Sequence, residues 1–153
     1  MRFPGKIAAG AVSKRMMCTI DMLPTAAKLA GARLPKNAID GLDVWDLITD
    51  KPGAKNPHQY YAFSTASVFE GVISGDGRWK LHLPHSYRTL EYAGNDGRPG
   101  KYREATIELS LFDMEADPYE RENVIEKFPD VAKRMQAFAN EHSRQFYAQK
   151  VPE

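Results

Sequence analysis

The sequence contains a single cysteine, Cys18, among its 153 residues. One cysteine cannot form a disulfide within the chain and cannot supply a cysteine cluster to a metal. No apolar run approaches the roughly 18 residues that a membrane-spanning helix needs. Pro4 and Gly5 follow Met1 closely, so we predict no signal peptide at this end. In a piece of a longer protein that absence would say nothing about the parent, and the cellular compartment stays open.

The sequence also lacks an excess of either charge. It has 21 Lys and Arg residues against 20 Asp and Glu residues. This balance argues against a general nucleic-acid surface or an anionic-membrane surface, so we expect neither partner. A hydrophobic content of 42% and a charged content of 27% are typical of an ordinary globular protein. The length predicts one domain, or one domain with a fragment of another.

The first part of the chain, residues 1–52, predicts a helix over 21–30, and a turn with a short apolar helix within 39–48. Asp21 is a favourable residue before a helix, and Pro24 fits the first turn, where its missing N–H does the least harm. Gly31 is well placed to end the helix. The predicted apolar stripe consists of Leu23, Ala26, Ala27 and Ala30.

The second part, residues 58–150, follows a proline- and glycine-rich linker at 51–57 and is richer in strand signals. The predicted strands are 59–64, 68–74, 78–83 and 107–114. Gly75-Asp76-Gly77 predicts a hairpin between the second and third of them. Residues 91–106 are polar and glycine-rich, which predicts a long loop.

Pro129 fits the first position of a long helix that is predicted to extend to about residue 149. Its apolar face recurs at steps of three or four residues and consists of Val131, Met135, Phe138, His142 and Phe146. Strands followed by a covering helix predict an α+β fold. We expect a small antiparallel sheet of about four strands against this helix, preceded by the helical segment of the first part.

Five stretches match the motifs of one enzyme family in the family's own order. Residues 2–7, 21–31, 40–43, 77–82 and 111–124 resemble the motifs RWPGKI, DLLPTLLxLAG, DGxDL, GxWKLH and LYDLxxDPxExxNxA. Each match is weak alone, but together they make the chain similar to the sulfatases. The resemblance implies the C-terminal region of an arylsulfatase-like hydrolase of the alkaline-phosphatase superfamily.

Sulfatases use a formylglycine made from the Cys or Ser of a C/S-x-P-x-R motif, together with a calcium ion bound by oxygen ligands. This motif does not occur in the sequence, and Cys18 lacks the proline and arginine that would have to follow it. In the family those parts lie upstream of the position that matches residues 2–7. We therefore assign no catalytic residue, no metal ligand and no cofactor to this chain. The resemblance implies that 1–52 is the tail of the large α/β domain and 58–150 the C-terminal subdomain.

His85, Tyr87 and Arg88 are the candidate substrate-binding residues. Pro84 is predicted to end the third strand, so that they form a turn at its tip, where binding residues commonly lie. Many bacterial sulfatases resemble this H-x-P-H-x-Y-R run, which implies a place beside the active-site cleft. An imidazole or a guanidinium there could bind a sugar ring or a sulfate oxygen. The alternative is that His85 caps the turn and Arg88 pairs with a local carboxylate.

Other polar and aromatic residues are predicted to be structural. His82 alternates with apolar neighbours and is expected to face solvent. The remaining residues expected in structural roles are His58 and His142. Three aspartates have a spacing that does not match a calcium loop, so we expect them to cap a helix or to be solvated. They are Asp40, Asp43 and Asp46. The acidic residues expected in a turn and at a helix N-terminus are Glu115, Asp117, Glu120 and Glu122. The aromatic residues expected in the core are Tyr60, Tyr61, Phe63, Trp79 and Phe112.

Three functions remain open at this point. The first is a C-terminal sulfatase segment that completes the fold and lines the substrate cleft. The second is a stand-alone module that binds a glycan or a protein. The third is a small enzyme that uses His85. The first implies an N-terminal sulfatase domain as partner and a sulfated glycan or an aryl sulfate as substrate. The orphaned helix 21–30 would need another partner for its apolar stripe, in this chain or in a second copy bound through residues 1–52.

Overall fold

A computed structural model describes residues 1–147 of the chain. The chain divides into two compact units. The first contains Met1–Tyr61 and the short segment Ser74–Gly77, and the second contains Ala62–Ile73 and the described residues from Arg78 onward. The described residues form six strands in two antiparallel sheets, together with helices, so the predicted α+β class is confirmed. None of the described helices is both long enough and apolar enough to cross a membrane.

The first unit contains a 3₁₀ turn, Thr19–Asp21, followed by helix α1, Met22–Ala30, and the short helix α2, Trp45–Ile48. Helix α1 ends as predicted at Gly31, whose φ of 65° lies in the left-handed region that glycine adopts readily. Val44 and Leu47 are almost completely buried and form the apolar centre of this unit.

Most of the apolar stripe predicted for α1 is exposed. Of its four members only Ala27 is buried, and the buried face consists of Pro24, Thr25 and Ala27. The cause is a polar contact, because the N–H of Val44 donates a hydrogen bond of 3.0 Å to Thr25 Oγ1. This contact turns the Thr25 side of the helix inward and leaves Leu23 52% exposed.

The main sheet of the second unit has the strand order β1-β2-β3-β6, and its pairs β2–β3 and β3–β6 are antiparallel. Its strands are β1 Tyr60–Thr65, β2 Val68–Ser74, β3 Trp79–His82 and β6 Ser110–Asp113. All four were predicted, with boundaries that differ by up to three residues. In the pairing of β3 with β6, Lys80 lies opposite Phe112 and His82 lies opposite Ser110.

A second sheet occupies the region that was predicted to be a turn and a long loop, and that prediction is wrong. Strand β4, His85–Tyr92, pairs antiparallel with strand β5, Lys101–Ile107. Residues 93–100 connect them. At the tip of this connection Asp96 and Gly97 have φ values of 48° and 76°, and the N–H of Arg98 donates to the carbonyl of Asn95 at 2.9 Å. Positive φ at both central positions defines a type I′ turn, whose twist matches that of a hairpin. We call β4 and β5 the ribbon.

Helix α3, Pro129–Phe146, begins at the predicted proline and packs against β3. Its buried residues are Ala132, Met135 and Ala139. Of the predicted apolar face, Met135 is buried and Phe146 is 48% exposed. The predicted helix end near residue 149 lies outside the described residues.

Candidate functional site

The ribbon separates the three predicted substrate-binding residues. Side chains alternate between the two faces of a strand, and directly opposed residues of a pair share a face. His85 and Tyr87 therefore lie on one face, with ring centroids 6.2 Å apart. Arg88 lies on the other face, where its guanidinium carbon is 4.2 Å from the ring centroid of Tyr102. The structure thus brings together two of the three residues, on a strand and not on a turn.

His85 is half-buried, and one of its ring nitrogens is already used. Nδ1 lies 2.7 Å from the carbonyl oxygen of Leu83. A carbonyl only accepts hydrogen bonds, so Nδ1 carries the proton and donates it. Nε2 is consequently the nitrogen that His85 can offer to a ligand. Tyr87 beside it is 41% exposed.

The same face of the ribbon carries a cation that the sequence did not point to. Arg103 lies opposite Thr89, and Thr89 shares its face with His85 and Tyr87. Arg103 is exposed. We name the set of His85, Tyr87 and Arg103 the ribbon site. It combines an imidazole nitrogen, an aromatic ring and a guanidinium, and these groups suit a sugar ring that carries an anionic substituent.

His82 is buried, which contradicts the prediction that it faces solvent. Only 8% of the residue is exposed, although it alternates with Leu81 in the expected way. The reason is that both faces of β3 are covered. The ring of His82 lies 5.2 Å from that of Phe63 and 5.8 Å from that of Phe112.

Glu120 binds two residues of β3. Its carboxylate accepts hydrogen bonds from Lys80 Nζ at 2.6 Å and from His82 Nε2 at 2.9 Å. Glu120 was predicted at a helix N-terminus, and this is wrong, because the chain forms turns from residue 114 to 128 and α3 begins only at Pro129. The backbone of Glu120 is in the left-handed region, with φ of 54°.

Burial lowers the pKa of His82, and the nearby charge of Lys80 lowers it further, against the opposing effect of the Glu120 carboxylate. Desolvation acts in this direction because it disfavours the charged form of an imidazole. Nδ1 of His82 is buried without a hydrogen-bond partner among the described residues. Protonation there would create a buried donor with no acceptor. His82 is therefore best described as neutral, with its proton on Nε2 and facing Glu120.

The first unit contains a second polar network, centred on Asp21. This residue is fully buried. Its Oδ1 accepts hydrogen bonds from Leu42 N at 3.1 Å and His58 Nε2 at 2.6 Å, and its Oδ2 from Cys18 N at 3.1 Å and Tyr61 Oη at 3.0 Å. Burial raises the pKa of Asp21, but the four hydrogen bonds outweigh it and leave the pKa below the usual 3.8. His58 thus holds a structural carboxylate, in agreement with its predicted structural role.

The other acidic candidates pair with lysines or lie in solvent. Asp43 pairs with Lys28, and Asp46 pairs with Lys51 at 2.8 Å. Asp40 is exposed. Within residues 1–147, no group of three or more His, Cys, Asp and Glu side chains is placed to hold a metal ion.

Comparison with known proteins finds no matching family model. Arylsulfatase A from Bos taurus is 33% identical over 138 residues, which are 85% of this chain. Arylsulfatase A from Homo sapiens is 32% identical over 80% of the chain, and arylsulfatase J from Mus musculus is 25% identical over 82%. The chain spans about a quarter of the length of these curated relatives.

Two solved structures share the fold. One, from work on the metabolism of multiple glycosaminoglycans by Bacteroides thetaiotaomicron, has a TM-score of 0.55, with 20% identity over 81% of this chain and 24% of that one. The other was solved in complex with its substrate, D-glucosamine-2-N,6-O-disulfate. It has a TM-score of 0.58 and 18% identity, and covers 97% of this chain and 28% of that one. At these identities the likeness is one of fold.

Proposed function

We propose that this chain, which is similar to the C-terminal region of sulfatases over most of its length, completes the fold of a sulfate ester hydrolase and lines one wall of its substrate cleft. The observation that carries the proposal is the ribbon site, where His85 and Tyr87 share one face with an exposed guanidinium. The proposed ligand is a sulfated sugar or an aryl sulfate.

Each group of the ribbon site has a chemical task in this proposal. The exposed ring of Tyr87 gives an apolar surface on which a sugar or an aryl group can lie. His85 Nε2 forms a hydrogen bond to a ring substituent, and Arg103 pairs with a sulfate oxygen. These contacts are made to the substrate before reaction as well as in the transition state. They therefore contribute binding and leave the chemical step to other residues.

We assign the chemistry itself to parts of the enzyme that this sequence does not match. Among residues 1–147, no three His, Cys, Asp or Glu side chains are placed together to hold a metal ion. The sequence has no C/S-x-P-x-R motif. In the sulfatases, calcium and formylglycine supply the metal and the nucleophile.

The proposed partner is the remaining part of a sulfatase. The chain spans about a quarter of its relatives, and α1 exposes Met22 by 37%, Leu23 by 52% and Leu29 by 44%. A cluster of exposed apolar side chains on one helix indicates a surface that another element covers. We propose that residues 1–52 belong to the large α/β domain of the enzyme and that 58–150 form its C-terminal subdomain.

A titration of the chain followed by NMR tests the ribbon site. The ligand is D-glucosamine-2-N,6-O-disulfate, and unsulfated glucosamine is the reference. We expect the sulfated sugar to shift the resonances of Tyr87 and Arg103, and His85→Ala or Tyr87→Ala to weaken binding about tenfold, which corresponds to about 1.4 kcal/mol. Arg88→Ala is the matched control, since it removes an exposed side chain from the opposite face. Equal losses in Arg88→Ala and Tyr87→Ala would contradict the proposed face.

The same variants in an intact sulfatase that carries this segment test whether the ribbon site contributes to substrate binding or to the chemical step. Loss of a group that binds substrate and transition state equally raises KM and leaves kcat unchanged. We expect this pattern for His85→Ala. A fall in kcat at constant KM would instead place His85 in the chemical step and contradict the proposed wall.

A further inference from the structure

Glu120 lies outside the ribbon site but contacts two residues of β3, one of which, His82, stacks on His85. It lies 40 residues from Lys80 and 38 from His82 in sequence, and its carboxylate binds both side chains. The turn that carries it is fixed by Asp117, whose Oδ2 accepts hydrogen bonds from the N–H groups of Arg121 at 2.5 Å and Glu122 at 2.8 Å. A left-handed backbone is unfavourable for a residue with a Cβ, and it persists only where the surroundings enforce it.

The contact with Glu120 determines how the ring of His82 is held. A carboxylate accepts hydrogen bonds, so His82 donates from Nε2 and its Nδ1 has no proton. Nδ1 is buried without a partner among residues 1–147, so it offers no hydrogen bond of its own to fix the ring. Glu120 is thus the polar anchor of this imidazole, and the rings of Phe63 and Phe112 are its apolar neighbours.

His82 in turn supports His85. The two imidazole rings are stacked, with centroids 5.4 Å apart and planes inclined by 18°. The charged and titratable groups that bear on His82 are Glu120, Lys80 and His85. A continuous series of contacts therefore connects the acidic turn to His85, which reaches the ribbon site through Nε2.

We propose that Glu120 is a positioning residue of the ribbon site: by binding His82 Nε2 it fixes the ring on which His85 stacks, and so fixes the direction in which His85 presents Nε2. This inference rests on the proposed function, in which His85 contacts the substrate. It assigns a task to the glutamate of the DPxE motif in residues 117–120.

The first experiment is independent of any ligand. Long-range ¹H–¹⁵N NMR of the histidine side chains is recorded for the 153-residue chain, for Glu120→Gln and for the control Glu122→Gln. Glu122 lies in the same turn and pairs with the exposed Lys127. We expect His82 to populate one tautomer in the original chain and in the control. Glu120→Gln should give mixed tautomers at His82 and displaced ring signals at His85.

Two outcomes of this experiment overturn the inference. One is that His85 keeps its original signals in Glu120→Gln while those of His82 move. The other is that the control displaces the His85 signals as strongly. If Glu120→Gln does not fold, Glu120→Gly replaces it, because glycine removes the same carboxylate and accepts the left-handed backbone readily.

The second experiment connects the inference to binding of the disulfated glucosamine. Glu120→Gln should weaken binding about fivefold in the original chain but less than about twofold when His85→Ala is already present, because residues that act through one another are not additive. Equal effects in both backgrounds overturn the positioning role. If His85→Ala alone leaves binding unchanged while Glu120→Gln displaces the His85 signals, the proposed function fails and the structural coupling stands.

Discussion

Replacing Asp21 by Asn should destabilise the first unit by about 2–4 kcal/mol, since a buried donor left unpaired costs about 1–3 kcal/mol and bonds to a charged group are worth more than neutral ones. Each carboxylate oxygen accepts one backbone N–H and one side-chain donor. An amide has one oxygen and one NH₂ group. Tyr61 and His58 can accept a hydrogen bond from that NH₂, but the N–H of Cys18 or Leu42 cannot.

Hydrogen exchange measures this loss directly, because amide protection in a cooperative unit reports its opening free energy. A loss of 2–4 kcal/mol should make the amides of α1 and α2 exchange about 30- to 1,000-fold faster. Strand β6 is the internal reference in the second unit. Asp40→Asn is the matched control, because it makes the same chemical change on an exposed residue.

The pH dependence gives a second measure of the Asp21 network. The pKa of Asp21 is lower in the folded chain than its usual 3.8, so its contribution is present above about pH 4 and is lost as the pH falls through the folded pKa. Burial and the adjacent Asp21 raise the pKa of Tyr61 to about 12. Stability should therefore also fall as the pH rises from about 10 to 12. The predicted destabilisation is contradicted if the amides of α1 and α2 exchange less than threefold faster in Asp21→Asn, while those of Asp40→Asn exchange as in the original chain.

Three further predictions concern other parts of the chain. In a verified monomer, α1 should exchange its amides faster than β6, because it exposes Leu23 and Leu29; equal protection would mean that the helix needs no further partner. Glu120→Gly should be more stable than Glu120→Ala by about 1 kcal/mol in urea unfolding, since both lose the carboxylate and only alanine keeps the left-handed strain; a more stable alanine variant would deny that strain. The chain alone should release no sulfate from an aryl sulfate with calcium present, and release that Cys18→Ala abolishes would overturn the assignment of no catalytic residue.

The sequence predicted the four strands of the main sheet. Trp79 and Leu81 alternate with polar neighbours in β3, so the period of two was visible in the sequence. The ribbon escaped prediction because its residues are exposed or half-buried, and apolar alternation is therefore absent. Its signal was the Asp96-Gly97 pair, which strongly favours a two-residue hairpin turn.

The candidate site could be predicted only in part, because its arrangement depends on contacts that are distant in sequence. His85 and Tyr87 were named from a local motif, but their separation from Arg88 follows only once the segment is a strand. The contacts of Glu120 with Lys80 and His82 and of Asp21 with His58 join residues that are 40, 38 and 37 positions apart. No pattern within a short stretch of the sequence predicts such pairs.

The length of the connection between β4 and β5 determines which charged residue of β5 shares a face with Tyr87. The faces of β4 are fixed by its position in the chain, whereas the faces of β5 depend on how many residues separate the two strands. A register irregularity between Leu90 and Tyr92 already accommodates the present length. Insertion or deletion of one residue in the connection between β4 and β5 would turn Arg103 to the other face and bring Glu104 to the face of Tyr87. If the ribbon binds substrate as proposed, a change of one residue in this connection would place a carboxylate, instead of a guanidinium, on the face that Tyr87 presents.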